Sequence, residues 1–182
     1  MMMRALLGFL LIATGCVSAR VAAGSVVSPG GRAGWEVQLT LGLNRAVGKN
    51  AVTLSTTGAT GAHKLANGLS ERYVQHQFGI DYVSVAKRTG EAGSRIGLRV
   101  GSLVFQRDKA APAGSGPPSR LFSTAGVSAA VFPVVVSYGA AADRQRIATG
   151  LEVNGAILRS STGAVDARLF IGLVFDAFQM NK

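Results

Sequence analysis

Cysteine and histidine are scarce in this chain, and each scarcity excludes a class of structure. Cys16 is the only cysteine, so no disulfide can form within one chain. The histidines, His63 and His76, stand apart from one another and from any cysteine cluster, which argues against a zinc site. Neither a phosphate-binding Gly-Lys motif nor a calcium-loop pattern occurs. We therefore expect no metal and no cofactor.

Long apolar runs are also missing, although 48% of the residues are hydrophobic and only 15% are charged. No stretch of about 18 apolar residues exists, so no single helix could cross a bilayer. The chain after its first residues shows no helical periodicity either. An apolar composition without helices predicts an all-β protein, with either a buried core or a barrel.

The first 19 residues predict an export signal. Arg4 precedes an apolar core that is too short to be a membrane span. Two cleavage sites remain open. The segment from Ala13 to Cys16 resembles the bacterial lipobox, in which the cysteine is lipidated and becomes the first residue, whereas Val17 to Ala19 fits ordinary cleavage after Ala19. Residues 1–19 are thus assigned to the signal and residues 20–182 to one barrel domain.

The last stretch, residues 164–178, alternates at period two. Val165, Leu169 and Ile171 lie on one apolar face, and Asp166 and Arg168 lie on the other. Because successive side chains of a strand point to opposite faces, this pattern predicts a strand with one apolar face and one polar face.

The same alternation recurs upstream and predicts a total of about eight strands. We place them at residues 21–27, 35–43, 50–56, 72–87, 95–107, 120–139, 144–159 and 164–178. Pro133 cannot donate to a ladder, so it predicts a bulge or a break. Residues 57–71 and 108–119 then form long loops at one end, with short turns at the other end. This asymmetry is typical of outer-membrane barrels.

Three patterns place the apolar face outside the barrel. The lysines all lie in loops or at strand ends, as a lipid-facing band requires, because a charge near its centre costs about 2–4 kcal/mol. Trp35, Tyr73 and Phe178 lie near strand ends, as in an aromatic girdle. Small residues on the polar faces let a narrow barrel close. These are Gly42, Gly79, Gly97, Gly101, Gly150 and Gly172.

On these patterns the chain resembles the small outer-membrane β-barrel superfamily from Trp35 to Phe178. The resemblance implies a single antiparallel up-and-down β-barrel that is inserted by the barrel-assembly machinery. In that family the last strand carries the assembly signal, and Gly172, Phe175 and Ala177 occupy its positions here. An aromatic residue is usual where Ala177 stands.

Charged residues on the polar faces predict a network inside the barrel. An eight-stranded barrel has room for little more than side chains, so we expect paired ions that fill the lumen rather than a charge-lined pore or binding site. The residues assigned to this network are Arg99, Arg144, Arg146, Glu152, Asp166, Arg168 and Asp176.

The resembled superfamily includes lipid A-modifying hydrolases that use a histidine, a nearby serine and a carboxylate. Here His76 lies on the apolar face, and Ser84 on the same face lies about 25 Å away at the strand rise. A nucleophile and its base must be within hydrogen-bond reach, so this pair cannot work alone.

We expect a non-enzymatic outer-membrane barrel with a structural, adhesive or surface-binding role through its long loops. One alternative is a soluble exported barrel that binds an apolar ligand inside, and another is a lipid A-modifying enzyme. The net charge of +10 suits acidic glycolipid beside ordinary membrane lipid, and the export signal argues against nucleic acid. The sequence does not name a protein partner.

Overall fold

The computed structural model describes residues 17–28, 32–47, 50–64, 70–84, 89–106, 120–138 and 143–181. Cys16 and the rest of the leader lie outside these residues. No helix in the described part of the chain is long and apolar enough to span a membrane. The strands are β1 (Val17–Ser28), β2 (Arg32–Val47), β3 (Asn50–Lys64), β4 (Ser70–Ser84), β5 (Gly93–Gln106), β6 (Arg120–Tyr138), β7 (Asp143–Ser160) and β8 (Val165–Asn181).

The eight strands close into one antiparallel barrel. Each strand pairs with its neighbours in sequence, and β1 also pairs with β8 from Ser18↔Phe178 to Val27↔Leu169. Closure removes the exposed sheet edges that would otherwise invite association with other strands. The predicted all-β, up-and-down barrel is confirmed.

The two ends of the barrel differ in their connections. We call the end that carries residues 29–31, 65–69, 107–119 and 161–164 the outer end. The inner end carries residues 48–49, 85–92 and 139–142, together with the start of β1 and the end of β8. The loop predicted at residues 108–119 lies outside the described residues, and the segment 107–119 that contains it is the longest connection in the barrel.

The prediction of a long loop at residues 57–71 is wrong. β3 continues to Lys64 and pairs with β4 from Thr57↔Gln77 to Lys64↔Ser70, so only residues 65–69 connect the two strands. This half of β3 is built from Gly, Thr and Ala, whose hydropathies differ little between the two faces. Alternation is therefore faint there, although the backbone ladder is complete.

The structures of β6 and β8 bear on two further sequence predictions. β6 is a single strand whose register shifts between Val131 and Val134, which confirms the bulge predicted at Pro133. β8 does not end at Phe178 but continues to Asn181, where it still pairs with β7.

Over most of each strand, side chains alternate between a buried interior and an exposed outer wall. On the wall, Leu98 and Leu173 are 66% and 72% exposed, whereas Asp81 and Glu152 inside are fully buried. The apolar faces of the predicted strands therefore point outward. Polar and charged residues occupy the interior together with three small apolar clusters.

The prediction of an aromatic girdle is wrong for Tyr73 and Phe178, which are buried inside the barrel, whereas Trp35 is exposed on the wall.

Candidate functional site

The centre of the interior is an ion-pair chain that joins β4, β5 and β8. Asp81 accepts from Arg99 at 2.5 Å and from Arg95 at 3.3 Å. Arg95 also reaches Asp176 on β8 at 2.8 Å. All four side chains are almost completely buried. Each buried charge therefore faces an opposite charge, as desolvated ions require.

Glycines make room for this chain of ions. A Cβ on Gly97 would overlap the Asp81 carboxylate, and a Cβ on Gly79 would overlap the Arg99 guanidinium. Gly97 is the register partner of Asp81, and Gly79 is the register partner of Arg99. The small residues on the polar faces thus hold open the space that the long arginine side chain occupies.

A second interior group is centred on Arg20 of β1. Its guanidinium lies 3.6 Å from Glu152 and donates a hydrogen bond to Thr40 at 3.3 Å. Thr40 shares a 2.9 Å hydrogen bond with Thr57 of β3, so the group spans the barrel from β7 to β3.

A third group lies around Glu36 of β2. Its carboxylate accepts hydrogen bonds from Tyr73 and Gln38, each at 2.6 Å, and forms an ion pair with Arg168. Arg168 also donates to Gln75 and lies 4.5 Å from the centroid of the Tyr73 ring. This group links β2, β4 and β8 through side chains alone.

A charged and aromatic cluster lies at the outer end of the lumen. Arg120 donates to both oxygens of Glu71, at 2.7 and 2.9 Å, and Glu71 shares a 3.0 Å hydrogen bond with His63. The Arg120 guanidinium lies 5.1 Å from the centroid of Phe105, which packs edge-on against Phe122. These contacts link β3, β4, β5 and β6 across the outer end of the lumen.

A charged and aromatic contact also lies at the inner end. Arg146 lies over the ring of Phe178 at 5.8 Å. Phe178 shares a small apolar cluster with Ala51 and Val83. Asn44 donates to the backbone carbonyl of Gln179 at 3.1 Å and ties β2 to the end of β8.

The buried side chains of the three interior groups occupy the space between the two ends. A cavity of about 20 Å³, large enough for about one water, lies beside Glu36, Gln77 and Arg99. A cavity of this size, lined mainly by polar side chains, is too small for the apolar ligand of the soluble-carrier alternative.

Most of the residues predicted for the interior charge network are buried in the lumen. Arg99, Arg146, Glu152, Arg168 and Asp176 are all buried in the interior. Asp166 is half-buried at the outer end of β8, where it accepts a hydrogen bond from the backbone of Ala167, apart from the central ion pairs. The backbone of Arg144 in β7 pairs with β8. Its side chain is not among those that the structure describes.

Four further charged residues take part in the same interior groups. Arg20, Glu36, Asp81 and Arg95 are each at most 2% exposed. The alternation puts Glu36, Asp81 and Arg95 on polar faces, so their burial follows from the pattern once the barrel is inferred. Arg20 has no such signal, because the predicted first strand begins only after it.

The outer wall carries one polar contact of chemical interest. His76 and Thr56 share a 2.9 Å hydrogen bond on the exposed face of β3 and β4. Ser102 of β5 is the register partner of His76. The hydroxyl groups of Thr56 and Ser102 therefore lie near the histidine, whereas Ser84 lies too far along β4. A hydrolase of the resembled kind also needs a carboxylate, and none of the Asp and Glu side chains that the structure describes on the strands lies on the wall. No described group of His, Cys, Asp and Glu could hold a metal.

Comparisons with known proteins agree with this architecture. No family model and no curated protein matches the chain. The crystal structure of the outer membrane enzyme PagL matches with a TM-score of 0.51 at 12% sequence identity, over 87% of this chain and 97% of that chain. The crystal structure of Neisserial surface protein A (NspA) matches with a TM-score of 0.47 at 15% identity, over 87% and 94%. The fold of this chain is that of the small eight-stranded outer-membrane β-barrels.

Proposed function

We propose that this chain is an integral outer-membrane barrel with a non-enzymatic, structural or surface-binding role. The observation that carries the proposal is the outer wall. Its exposed residues include Leu39, Phe78, Leu98, Leu151 and Ile171, each at least 50% exposed and drawn from five different strands. Apolar patches of more than a few hundred Å² are rare on soluble monomers, whereas this one encircles the molecule.

The edges of this apolar wall support the same proposal. Arg45 is exposed near the inner end, and Lys64, Arg72 and Arg159 are exposed near the outer end. Between them the wall of the described strands carries no charged side chain. An apolar band between two charged rims matches a bilayer, where charges are costly at mid-depth and cheap at the interfaces.

The filled interior favours a structural role over transport. Charged and aromatic side chains lie at both ends of the lumen, ion pairs cross its centre, and the cavity beside Glu36 holds about one water. A barrel of this kind contributes a rigid scaffold and whatever its outer surface binds. The surface-binding part of the proposal rests on the connection 107–119 and on the basic outer rim, which suits acidic glycolipid.

We also propose that the chain is processed at Cys16 and keeps Val17, Ser18 and Ala19. β1 begins at Val17, which pairs with Leu43, and Ser18 pairs with both Gly42 and Phe178. Cleavage after Ala19 would remove these residues from the closing ladder. Cleavage before Cys16 leaves β1 whole and puts a lipid anchor at the inner end of the barrel. Delivery to the membrane would depend on the barrel-assembly machinery.

Membrane fractionation and heat-modifiable migration test the main proposal. We expect the protein to sediment with outer membranes, to need detergent for extraction, and to migrate differently on a denaturing gel before and after boiling. A protein that remains in aqueous solution without detergent and migrates identically in both samples contradicts the proposal.

A further inference from the structure

The outer wall of β4 presents three kinds of surface in one line. We call the outward residues Ile80, Phe78, His76, Val74 and Arg72 the β4 column. It runs from an apolar part through one polar side chain to an exposed cation at the outer rim. Successive outward residues lie about 7 Å apart along a strand that tilts by about 35–45°, so the column spans on the order of 20 Å across the bilayer, with His76 about 10 Å inward of Arg72.

The polar member of the column is only partly satisfied by the protein. One ring nitrogen of His76, Nε2, shares the hydrogen bond with Thr56, and the ring packs edge-on against Phe78 at 4.8 Å. Among the described residues, the other ring nitrogen has no hydrogen-bond partner. Hydrocarbon cannot supply one, so a polar group of a neighbouring molecule is favoured there.

An apolar crevice adjoins the histidine on the inner side. Leu54, Phe78, Ile80, Leu98 and Val100 line it, on three adjacent strands. Its lining is almost entirely hydrocarbon, and it is open along the wall rather than enclosed. A shape of this kind accepts a flexible chain that lies along the barrel.

The outer end of the column is cationic. Arg72 is exposed and stands two outward positions beyond His76 on the same strand. Lys64 is exposed at the end of the neighbouring β3. Among the side chains that the structure describes, no carboxylate on the wall neutralises these cations. An anionic group is therefore attracted to this part of the rim.

We propose that the β4 column binds one anionic lipid of the surrounding bilayer. An acyl chain lies in the crevice, an oxygen of the lipid's linkage region accepts a hydrogen bond from the second ring nitrogen of His76, and the anionic headgroup meets Arg72. The inference rests on the proposed membrane insertion and adds a lipid class and a position to it. The binding is non-covalent.

Native mass spectrometry of the full barrel tests this site. Wild-type protein, His76→Leu, Arg72→Gln and two control variants would be extracted from vesicles of equal parts phosphatidylglycerol and phosphatidylcholine. Thr149→Leu is the control for His76, because Thr149 is another exposed polar residue on the wall, on β7. Arg45→Gln is the control for Arg72, because Arg45 is an exposed arginine at the opposite rim.

We expect wild type and both controls to retain one phosphatidylglycerol in preference to phosphatidylcholine. His76→Leu should reduce that retention by roughly 2-fold to 10-fold, the effect of one hydrogen bond, and Arg72→Gln should abolish the preference for the anionic lipid. Equal retention in His76→Leu and wild type overturns the proposal. A protein dimer that disappears in His76→Leu also overturns it, because a second copy would then be the occupant.

Heat-modifiable migration of the same samples separates this inference from the proposed function. If wild type inserts into vesicles and shows the gel shift, but retains no phosphatidylglycerol, only the lipid site fails. If wild type does not insert, the proposed function fails first, and this inference fails with it.

Discussion

Asp81 and Arg99 form a buried ion pair, at 2.5 Å, between neighbouring strands at the centre of the barrel. Asp81 also contacts Arg95, which pairs in turn with Asp176, so this carboxylate faces two guanidinium groups that have left water. We predict that Asp81→Asn lowers the free energy of unfolding by about 3 kcal/mol, because removing one partner leaves buried charges uncompensated. Urea unfolding of the folded barrel in lipid vesicles measures this difference.

Asp166→Asn is the matched control for that experiment. Asp166 is half-buried at the outer end of β8, where water reaches it and screens its charge. We expect a change of at most about 1 kcal/mol. Equal destabilisation by the two substitutions would contradict a special role for the interior ion pairs.

Gly97 and Gly58 test whether interior glycines are required for space. A Cβ on Gly97 would overlap the Asp81 carboxylate, whereas a Cβ on Gly58 would meet nothing within 4 Å. We predict that Gly97→Ala destabilises the barrel by about 1–3 kcal/mol through overpacking. Gly58→Ala should be neutral or slightly stabilising, because it reduces the freedom of the unfolded chain. The temperature at which the heat-modifiable band is lost gives the comparison, and a reversed order would refute it.

Leu98 and Val165 test whether the wall faces lipid. They are 66% and 68% exposed, but Leu98 lies midway along β5 and Val165 is the first residue of β8 at the outer end. We predict that Leu98→Arg costs about 2–4 kcal/mol and Val165→Arg about 0–1 kcal/mol, measured by folding into vesicles. In a protein whose wall faces water, both substitutions would have small and similar effects.

Processing at Cys16 predicts a specific chemical modification. Cells grown with labelled fatty acid should incorporate the label into the wild-type protein and not into Cys16→Ala. The intact mass of the mature wild type should include residues 17–19, because Ser18 and Ala19 pair with Phe178 and Ala177 in the closing ladder. A mature chain that begins at Arg20 would rule out both the modification and the retention of these residues.

Most of the barrel is predictable from sequence because the outer wall is apolar and the interior is largely polar. Hydropathy therefore alternates from one residue to the next along a strand. The last strand shows this clearly, since Leu169, Ile171 and Leu173 are exposed while Arg168 and Asp176 are buried. The second half of β3 is not predictable in this way. Small residues such as Gly58 and Ala59 lie on opposite faces there. Their hydropathies are too similar to show which residue faces outward and which faces the interior.

The interior pairing is less predictable than the faces. Sequence puts Asp81 and Arg99 on polar faces of neighbouring strands, but their contact depends on the register of β4 against β5. Register is set by the whole ladder and not by either residue. The sequence also does not predict the contact of His76 with Thr56. The apolar pattern of β3 ends before the part of the strand that pairs with His76.

The claim that the apolar wall lies in lipid is tested most directly by spin labels on it. Labels at Ile171, Leu151 and Leu98, on three different strands, are compared with a label at the buried Ala148. The wall labels should collide readily with oxygen, which concentrates in hydrocarbon, and poorly with a water-soluble nickel chelate. Ready collision of all three wall labels with the nickel chelate, and none with a preference for oxygen, would show that the wall faces water and would contradict the proposed membrane insertion.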